Sequence, residues 1–446
     1  MTSKGHIFKT TSDTEVLVQL YAEYGEACLD KLNGQFAFAI WDKAGKELFI
    51  ARDRIGIRPL FYYIDNNGLV FGSEIKALLA SGKVAAAISS TSLSEVFTFW
   101  APLTPNTVFE NIRELQPGHF MKVKQTGEIN IKKFWELSFS QVYSKSELPF
   151  NRAIDELNGL FHDAIGIRLR ADVPVAAYLS GGIDSSLTTA FIKQIEPKVL
   201  KTFSIGFAEG EFDETKYQLE ASEYLNTEHK AFKCTNLQIA EAFPKVIWHT
   251  ETPIIRTAPT PMYLLSKMVR ENNIKVVITG EGADEMLAGY NIFKENEIRR
   301  FWAKYPNSSI RPLLLKKLYP YLPQLQQSNP KMTKFFFGYR LSDTQLAYYS
   351  HLLRWNNTSH IHKHFNADVQ EKTNGYDPLA GLSSRLPKDI ETWGSLAKAQ
   401  YMESSIFLSG YLLSSQGDRM GMANSNRGTL PVSRLPHYGI CSQTAA

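Results

Sequence analysis

The sequence predicts two folds in succession: an α+β part with antiparallel sheets, followed by an α/β doubly wound part. Up to about Glu136, short strand-like runs alternate with turn residues such as the DNNG at 65–68, which is typical of antiparallel hairpins. From about Leu148 onward, apolar runs alternate with helical patterns, which is typical of parallel strands joined by crossover helices. We therefore predict two domains, at 1–140 and 141–446.

Each predicted element rests on the spacing of its apolar residues or on a residue that ends a helix or strand. In the first part, strands are predicted at 36–41, 48–51, 60–64, 69–71 and 120–123. A helix is predicted at 16–32 because apolar residues recur at helical spacing and Gly34 follows, and Cys28 within it is a predicted core residue. In the second part, parallel strands are predicted at 173–179, 201–207 and 275–279, flanked by helices at 186–193, 215–225 and 261–271.

Composition excludes several classes of partner. The 49 basic and 45 acidic side chains give a net charge of only +4, which predicts no nucleic-acid partner. No run of about 18 apolar residues occurs, so no membrane span is expected. The three cysteines form no CxxC pair, which argues against a zinc site or a disulfide framework and favours a reducing, cytoplasmic compartment.

A glycine-rich loop follows the predicted strand 173–179. Residues 180–186 read SGGIDSS and open into a helix, where free backbone N–H groups and the positive end of the helix dipole suit a phosphate. The alternative is a tight turn that needs glycine only for steric reasons. No Walker A pattern occurs in the chain.

A second glycine-rich loop, GEGADE at 280–285, follows the predicted strand 275–279. Its three carboxylates, Glu281, Asp284 and Glu285, suit a hard divalent cation beside a phosphate site. The alternative is an acidic helix N-terminus that complements the dipole. Because both loops end parallel strands, we expect them to lie at one edge of the sheet.

These motifs carry a resemblance to a known family. The loop at 180–185 resembles the PP-loop of the ATP pyrophosphatases. Together with TFSIGF at 202–207, GEGADE at 280–285 and SSQGDR at 414–419, it resembles the glutamine-hydrolysing asparagine synthetases. Residues 12–15, 34–38, 52–60 and 72–76 are similar to that family's class II glutaminase domain. The resemblance implies a partial Ntn-type glutaminase domain followed by a PP-loop ATP pyrophosphatase domain.

The resemblance also implies roles for individual residues. ATP and Mg²⁺ are the implied cofactors, and the implied small-molecule substrates are a carboxylate acceptor and ammonia or glutamine. Asp184 and Asp284 would bind the metal, Glu281 would face the reacting acyl-adenylate, and Asp13 would hold the glutamine amino group. The implied nucleotide-binding residues are Ser180, Gly181, Gly182, Asp184, Ser185, Ile205 and Gly280. The resemblance is compatible with a homodimer.

The expected function is ATP-dependent amide formation on a carboxylate through an acyl-adenylate, with aspartate converted to asparagine by default. The acceptor segment departs from the family pattern, because it carries Arg256 in place of an Asp/Ser-containing run. Arg256 either clamps a carboxylate or is a solvated loop arginine. The alternatives are amide formation on a sugar or another carboxylate, and an inactive truncated remnant.

Both termini depart from the family pattern. The family's glutaminase begins with a cysteine nucleophile, whereas this sequence begins Met1-Thr2-Ser3, so we expect no glutamine hydrolysis by this chain; Thr2 as a substitute nucleophile is the weaker alternative. After Ser425 the segment with Glu-Gly-Arg and Pro-Phe-Leu-Asp that the family pattern predicts is missing. If compatible codons are chosen for the residues that follow and are read one base later, they encode that segment. We hypothesise a frameshift there, leaving the second domain incomplete.

Overall fold

The computed structural model describes residues 1–139, 149–208 and 213–431. These residues form two compact units. The first unit comprises Met1–Ala86, Thr104–Asn106 and Glu110–Glu136, and the second begins with Ala87–Leu103 and Thr107–Phe109 and continues from Leu137. The division predicted near residue 140 falls in 140–148, outside the described residues.

The first unit contains two antiparallel sheets, one of strand order β1-β2-β6-β7 and one of strand order β4-β3-β5. Its elements are α1 (Asp13–Tyr24), β1 (Ala37–Asp42), β2 (Glu47–Arg52), β3 (Phe61–Asp65), β4 (Gly68–Gly72), α2 (Ile75–Ala80), β5 (Arg113–Glu114), β6 (His119–Lys124) and β7 (Ile129–Lys133). The strands predicted in this part are confirmed with a shift of one residue at each end.

Strand β2 explains how these two sheets share a core. Side chains alternate across a strand, and both faces of β2 are buried. Phe49 packs in a cluster with Leu20 of α1, whereas Ile50 packs in a separate cluster with Tyr62 and Met121. The central strand therefore joins two apolar layers.

The helix predicted at 16–32 is corrected by the structure. The α-helix ends at Tyr24, because Gly25 adopts φ +55° and donates its N–H to the carbonyl of Tyr21. A 3₁₀ helix, Gly25–Lys31, continues from there and keeps Cys28 fully buried. Cys28 is thus a core residue, as predicted, and burial raises the pKa of its thiol to about 11.

A buried arginine fixes the segment that follows β2. Arg52 is 2% exposed and donates to the carbonyls of Arg58, Gly56 and Leu115 at 2.8, 2.8 and 2.7 Å. It also pairs with Glu114 at 2.8 Å. The planar guanidinium satisfies several buried acceptors at once, which a lysine cannot do.

The second unit is built around a five-stranded parallel sheet. Its strands are β8 (Val175–Tyr178), β9 (Lys201–Phe207), β10 (Glu228–Cys234), β11 (Val276–Ile278) and β12 (Arg427–Thr429). Its helices up to residue 303 are α3 (Ser90–Phe99), α4 (Phe150–Arg168), α5 (Ile183–Ile195), α6 (Thr215–Tyr224), α7 (Asn236–Thr250), α8 (Pro259–Glu271), α9 (Ala283–Leu287) and α10 (Asn291–Ala303).

A helical region follows α10. It contains α11 (Pro323–Gln326), α12 (Pro330–Phe337), α13 (Leu352–Ser359), α14 (Ala367–Lys372), α15 (Pro378–Ser383), α16 (Ser395–Met402), a π-helical segment (Glu403–Asp418) and α17 (Arg419–Ala423). Short 3₁₀ turns connect several of these helices. No helix among the described residues is both long and apolar enough to cross a bilayer.

The strand order β10-β9-β8-β11-β12 places β8 at the centre of the parallel sheet. The chain winds outward from β8 in one direction through β9 and in the other through β11. Such a reversal opens a crevice at the carboxyl ends of the two strands on either side of it. The predicted parallel strands are confirmed as β8, β9 and β11, and the sheet also contains β10 and β12, which the apolar-run criterion missed.

Candidate functional site

The first glycine loop lies between β8 and α5 and is held by close backbone packing. Gly181 has φ +82°, and a Cβ there would lie 2.6 Å from the carbonyl carbon of Tyr217 and 2.7 Å from the nitrogen of Gln218. A side chain therefore cannot be accommodated at Gly181 without moving backbone. Glycine is therefore required for steric reasons at residue 181. The absence of a side chain there lets α6 pack against the loop.

Two serine hydroxyls stabilise the same loop. Ser185 Oγ lies 2.9 Å from Ser180 Oγ and accepts a hydrogen bond from the Ser180 N–H at 3.1 Å. Gly182 is the N-cap residue of α5, and no side chain of the described residues caps that helix end. The first N–H groups of α5 are therefore available to an anion.

The second glycine loop contacts the first. A Cβ on Gly280 would lie 3.2 Å from both the Cβ of Asp184 and the nitrogen of Ser185. The contact follows from the sheet, because β8 and β11 are hydrogen-bonded neighbours whose carboxyl ends carry these loops. The expectation that both loops lie at one edge of the sheet is confirmed.

Acidic side chains converge where the loops meet. Burial, together with the charges of Asp284 and Asp184, raises the pKa of Glu281 to about 7. Burial and the charges of Asp184 and Glu403 raise the pKa of Asp284 to about 6, and burial raises the pKa of Asp184. The cluster thus carries mutually repelling carboxylates, an arrangement that a cation would relieve.

Glu285 lies close enough to Glu281 for their charges to interact, but its side chain is hydrogen-bonded to Tyr290. Its side chain is fully buried, and its Oε1 accepts a hydrogen bond from the hydroxyl of Tyr290 at 2.9 Å. Burial raises the pKa of Glu285 to about 8. Among the described residues, no three His, Cys, Asp or Glu side chains are placed to hold a metal ion together. A metal ion at this site would have fewer than three ligands from these side chains, and substrate oxygens would complete its coordination shell.

Ile205 lies on β9, on the other side of β8 from Gly280. Its carbonyl accepts a hydrogen bond from Gln218 Nε2 at 2.8 Å, and Gln218 Oε1 accepts one from Ser204 at 2.7 Å. Gln218 is only 1% exposed and lies directly behind Gly181. The sequence analysis did not identify Gln218. In the sequence it is only a polar residue within a predicted helix, and nothing there marks it as buried.

Two motifs singled out in the sequence meet in the second unit. Arg419 Nη1 donates to Glu251 Oε2 at 2.8 Å, and both side chains are 4% exposed. Glu251 is the C-terminal cap of α7 with φ +53°. This buried ion pair holds Glu251, the first residue of the segment 251–261 that the family resemblance assigns to the acceptor, against α17.

A second buried network surrounds Glu403, which the sequence did not single out. Glu403 Oε2 lies 2.7 Å from His351 Nε2 and accepts a hydrogen bond from Arg354 Nη1 at 2.8 Å. Although burial acts in the opposite direction, Arg354 and His351 lower the pKa of Glu403 to about 2. Glu403 is therefore a buried, compensated anion.

Arg256 faces an open cavity of about 640 Å³ in the second unit. Its guanidinium carbon lies 4.4 Å from the centroid of the Trp100 ring. Among the described residues, the charged and hydroxyl groups that act on Arg256 are Tyr411, Arg354 and Tyr321, and none of these is a carboxylate. The guanidinium stacks on Trp100 although Arg256 is exposed, and its acceptor-binding role stays a prediction.

Asp13 belongs to the first unit and begins α1. It is exposed, and Thr14 Oγ1 contacts its carboxylate at 3.4 Å. Ser12 caps the helix by accepting a hydrogen bond from the Thr14 N–H at 3.2 Å. The glutamine-binding role of Asp13 stays a prediction.

The predicted foreign tail is only partly within the described residues. Arg427–Thr429 form β12, which pairs in parallel with β11 in register Val276–Arg427. The remainder, 432–446, lies outside the described residues.

Fold and loops together define an α/β enzyme domain of the nucleotide-binding type, joined to an antiparallel α+β domain. The family profile described as "Asparagine synthase" matches residues 156–433, and the profile described as "Glutamine amidotransferase domain" matches residues 1–135. The first match covers more than half of the chain. The chain therefore belongs to the asparagine synthase family of ligases and carries an amidotransferase domain.

Curated relatives agree with this assignment. Asparagine synthetase [glutamine-hydrolyzing] 1 of Bacillus subtilis is 28% identical over 95% of this chain and 64% of its own length. Asparagine synthetase [glutamine-hydrolyzing] 3 of the same organism is 33% identical over 66% of this chain and 50% of its own length. Amidase chyE of Penicillium rubens is 27% identical over 97% of this chain and 66% of its own length. The chain thus spans less than two thirds of the length of the first two relatives.

Proposed function

We propose that this protein catalyses ATP-dependent amide formation on a carboxylate, through an acyl-adenylate, with ammonia as the nitrogen donor. The observation that carries the proposal is the contact between the two glycine loops, with Gly280 packed 3.2 Å from Asp184. It brings phosphate-binding N–H groups and acidic side chains to one crevice. Aspartate is the default acceptor that the family resemblance implies, and glutamine is the family's ammonia source.

The nucleotide would bind across the crevice. The N–H groups at the start of α5, with Ser180 and Ser185, would bind the pyrophosphate, and Ile205 and Gly280 would flank the adenosine. Attack of the acceptor carboxylate on the α-phosphate builds negative charge, which N–H donors stabilise. Pyrophosphate then leaves.

Asp184 and Asp284 fit a magnesium ion. Each raises the pKa of a neighbouring carboxylate in the cluster, and both are oxygen ligands of the kind that Mg²⁺ prefers. The metal would neutralise phosphate charge. Two protein carboxylates with phosphate oxygens make a common magnesium shell.

Glu281 is suited to the second half of the reaction. Ammonia attacks the acyl carbon, AMP leaves, and the nitrogen must lose a proton. Burial raises the pKa of the Glu281 carboxyl group, so it would accept that proton more readily than an exposed glutamate. Glu281, which is buried beside Asp184 and Asp284, would therefore serve as the general base.

The test is to incubate the full chain with ATP, Mg²⁺, ammonium chloride and aspartate, and to measure AMP, pyrophosphate and asparagine. We expect equal amounts of the three products. AMP release with a sugar acid or another carboxylate, but not with aspartate, would favour the alternative acceptor. No ATP binding and no AMP release with any acid would show an inactive remnant.

A further inference from the structure

A buried polar side chain lies behind the first glycine loop. Gln218 of α6 is 1% exposed, and its backbone nitrogen would lie 2.7 Å from a Cβ on Gly181. A buried amide group needs hydrogen-bond partners at both ends, because an unpaired polar group away from water is costly. One partner of Gln218 is the carbonyl of Ile205, which lies 2.8 Å from Nε2. Gln218 therefore contacts both elements to which ATP is proposed to bind.

The Ile205 carbonyl lies beyond the end of the neighbouring strand. Strand β8 pairs with β9 as far as Phe203, whose carbonyl accepts a hydrogen bond from the Leu179 N–H at 3.0 Å. Carbonyls two residues apart on a strand point to the same side, so in a continued ladder the Ile205 carbonyl would accept from the N–H of Gly181. Gly181 instead turns the chain away with φ +82°. Gln218 Nε2 takes the place of the donor that the strand no longer supplies.

Strand β9 carries a polar face although it is buried over most of its length. Thr202 and Ser204 are 0% and 3% exposed, whereas Phe203 between them packs into an apolar cluster on the opposite face. Ser204 Oγ lies 2.7 Å from Gln218 Oε1 and 3.0 Å from Nε2 of His229 on β10. Thr202 Oγ1 lies 2.9 Å from Nδ1 of the same ring. These contacts form one continuous chain of hydrogen bonds across two strands and a helix.

Donor and acceptor roles along this chain follow from its last member. A carbonyl only accepts, so the Gln218 group that faces Ile205 is the NH₂, and Gln218 Oε1 accepts from the hydroxyl of Ser204. Ser204 has then given its only hydrogen, so His229 Nε2 must donate to it. Burial lowers the pKa of His229, which favours the neutral ring. Neutral His229 therefore carries its hydrogen on Nε2 and accepts at Nδ1 from Thr202.

We propose that Gln218 is a positioning residue of the nucleotide site, and that the hydrogen-bond chain through Ser204 and His229 fixes its amide. The inference rests on the proposed ATP-dependent function and deepens it. The Nε2 hydrogen bond holds the peptide of Ile205 at the edge of the crevice, and the main chain at Gln218 determines where the loop turns at Gly181. One residue thereby sets the separation between the strand that would flank the adenosine and the loop that would bind the phosphates.

The experiment measures binding of α,β-methylene-ATP with Mg²⁺ to the full chain by calorimetry, because this analogue cannot be cleaved between its α- and β-phosphates. Q218M keeps the length of the side chain and loses both of its hydrogen bonds. We expect its dissociation constant to rise about tenfold or more, since small displacements of binding groups have effects of that size. Unchanged affinity in a folded Q218M chain would overturn the proposal.

Gln370 offers a matched control for this substitution. It is an exposed glutamine of α14, and its Nε2 also donates to a backbone carbonyl, that of Phe365, at 2.7 Å. Q370M therefore loses the same kind of hydrogen bond at a position outside both glycine loops and β9. We expect Q370M to bind the analogue as tightly as the parent chain.

A second variant tests the chain behind Gln218. S204A keeps the glutamine and removes the donor to its Oε1, so we expect the dissociation constant to rise about threefold or more. The double variant S204A/Q218M should bind like Q218M alone, because Ser204 acts through Gln218. S204A is the smaller change and decides the question if Q218M does not fold. Additive effects, or a lowered melting temperature with unchanged affinity in S204A, would overturn the proposal.

The direction of the chain is tested without any nucleotide. In protein labelled with ¹⁵N-histidine, NMR distinguishes the two neutral tautomers, and the signals of His229 are assigned by their loss in H229Q. We expect the ring hydrogen on Nε2. A hydrogen on Nδ1 would reverse the donor and acceptor roles and overturn the fixed orientation of the Gln218 amide.

AMP release separates this inference from the proposed function. With ATP, Mg²⁺, ammonium chloride and an acid that the parent chain accepts, we expect Q218M to raise the KM for ATP about tenfold and to leave the KM for the acid unchanged. Equal KM values for ATP in the two chains would overturn the inference alone. No AMP release with any acid would overturn the proposed function, whereas the binding comparison still decides the inference. Failure of the parent chain to bind the analogue would overturn both.

Discussion

Gly280 packs against Asp184 so closely that a Cβ on the glycine would lie 3.2 Å from the Cβ of the aspartate. The contact joins the two loops that end β8 and β11. Its separation is below ordinary van der Waals contact for two carbon atoms, so any side chain at Gly280 must displace Asp184 or the start of α5. The proposed nucleotide site depends on this fit.

We expect G280A to raise the KM for ATP by about ten- to hundredfold, because small displacements of positioning groups have effects of that size. The measurement is AMP release against ATP concentration. G159A is the matched control, since nothing lies within 4 Å of a Cβ at exposed Gly159 in α4. An unchanged KM in G280A would show that the loop contact does not position the nucleotide.

We expect D184N to lower kcat/KM for AMP release by about a hundredfold or more, because a metal at this position supplies several kcal/mol of charge stabilisation. The variant should also lose the rise in melting temperature that Mg²⁺ and ATP together produce. D172N, at an exposed aspartate before β8, is the control. If D184N keeps the Mg²⁺-dependent rise, Asp184 is not a metal ligand.

We expect R52K to destabilise the first unit by about 2–4 kcal/mol, because lysine leaves buried carbonyls without donors. Arg52 serves the carbonyls of Gly56, Arg58 and Leu115 and pairs with Glu114. The check is thermal unfolding of the full chain. The control is R152K, at a side chain that is 71% exposed, and equal melting temperatures for the two variants would contradict the expectation.

The Glu403 network predicts a pH-dependent stability. The pKa of Glu403 is about 2 in the folded chain against 4.5 ordinarily, so its ionised form stabilises the fold fully above pH 4.5. That contribution, about 3 kcal/mol, is lost as the pH falls from 4.5 towards 2.

Replacing the carboxyl group tests this dependence. We expect E403Q to melt well below the parent chain at pH 7, with a smaller difference at pH 4, because the introduced amide cannot ionise. Melting curves at both pH values give the comparison. E223Q, at an exposed glutamate of α6, should differ little at either pH. A melting difference for E403Q that stays constant with pH would argue against the ionised pair.

The local sequence was sufficient for the elements that build the crevice. The apolar runs of β8, β9 and β11 and the glycine loops that follow them are signals within a few residues, and the parallel arrangement follows from the helices between them. The sequence analysis did not predict the edge strand β10. Most of its side chains are at least partly exposed, and they form no continuous apolar run. The helix predicted at 16–32 was too long, because Gly25 ends the α-helix with a positive φ of 55°.

Sequence by itself therefore determined the order of the elements, the glycine loops and their acidic residues, since each depends on neighbouring residues and backbone sterics. Only the tertiary structure decided that Arg419 reaches Glu251 across 168 residues and that Arg256 stacks on Trp100 at a cavity. Those pairings are set by how helices pack on one another. Packing depends on contacts between distant segments, and no local pattern of residues encodes it.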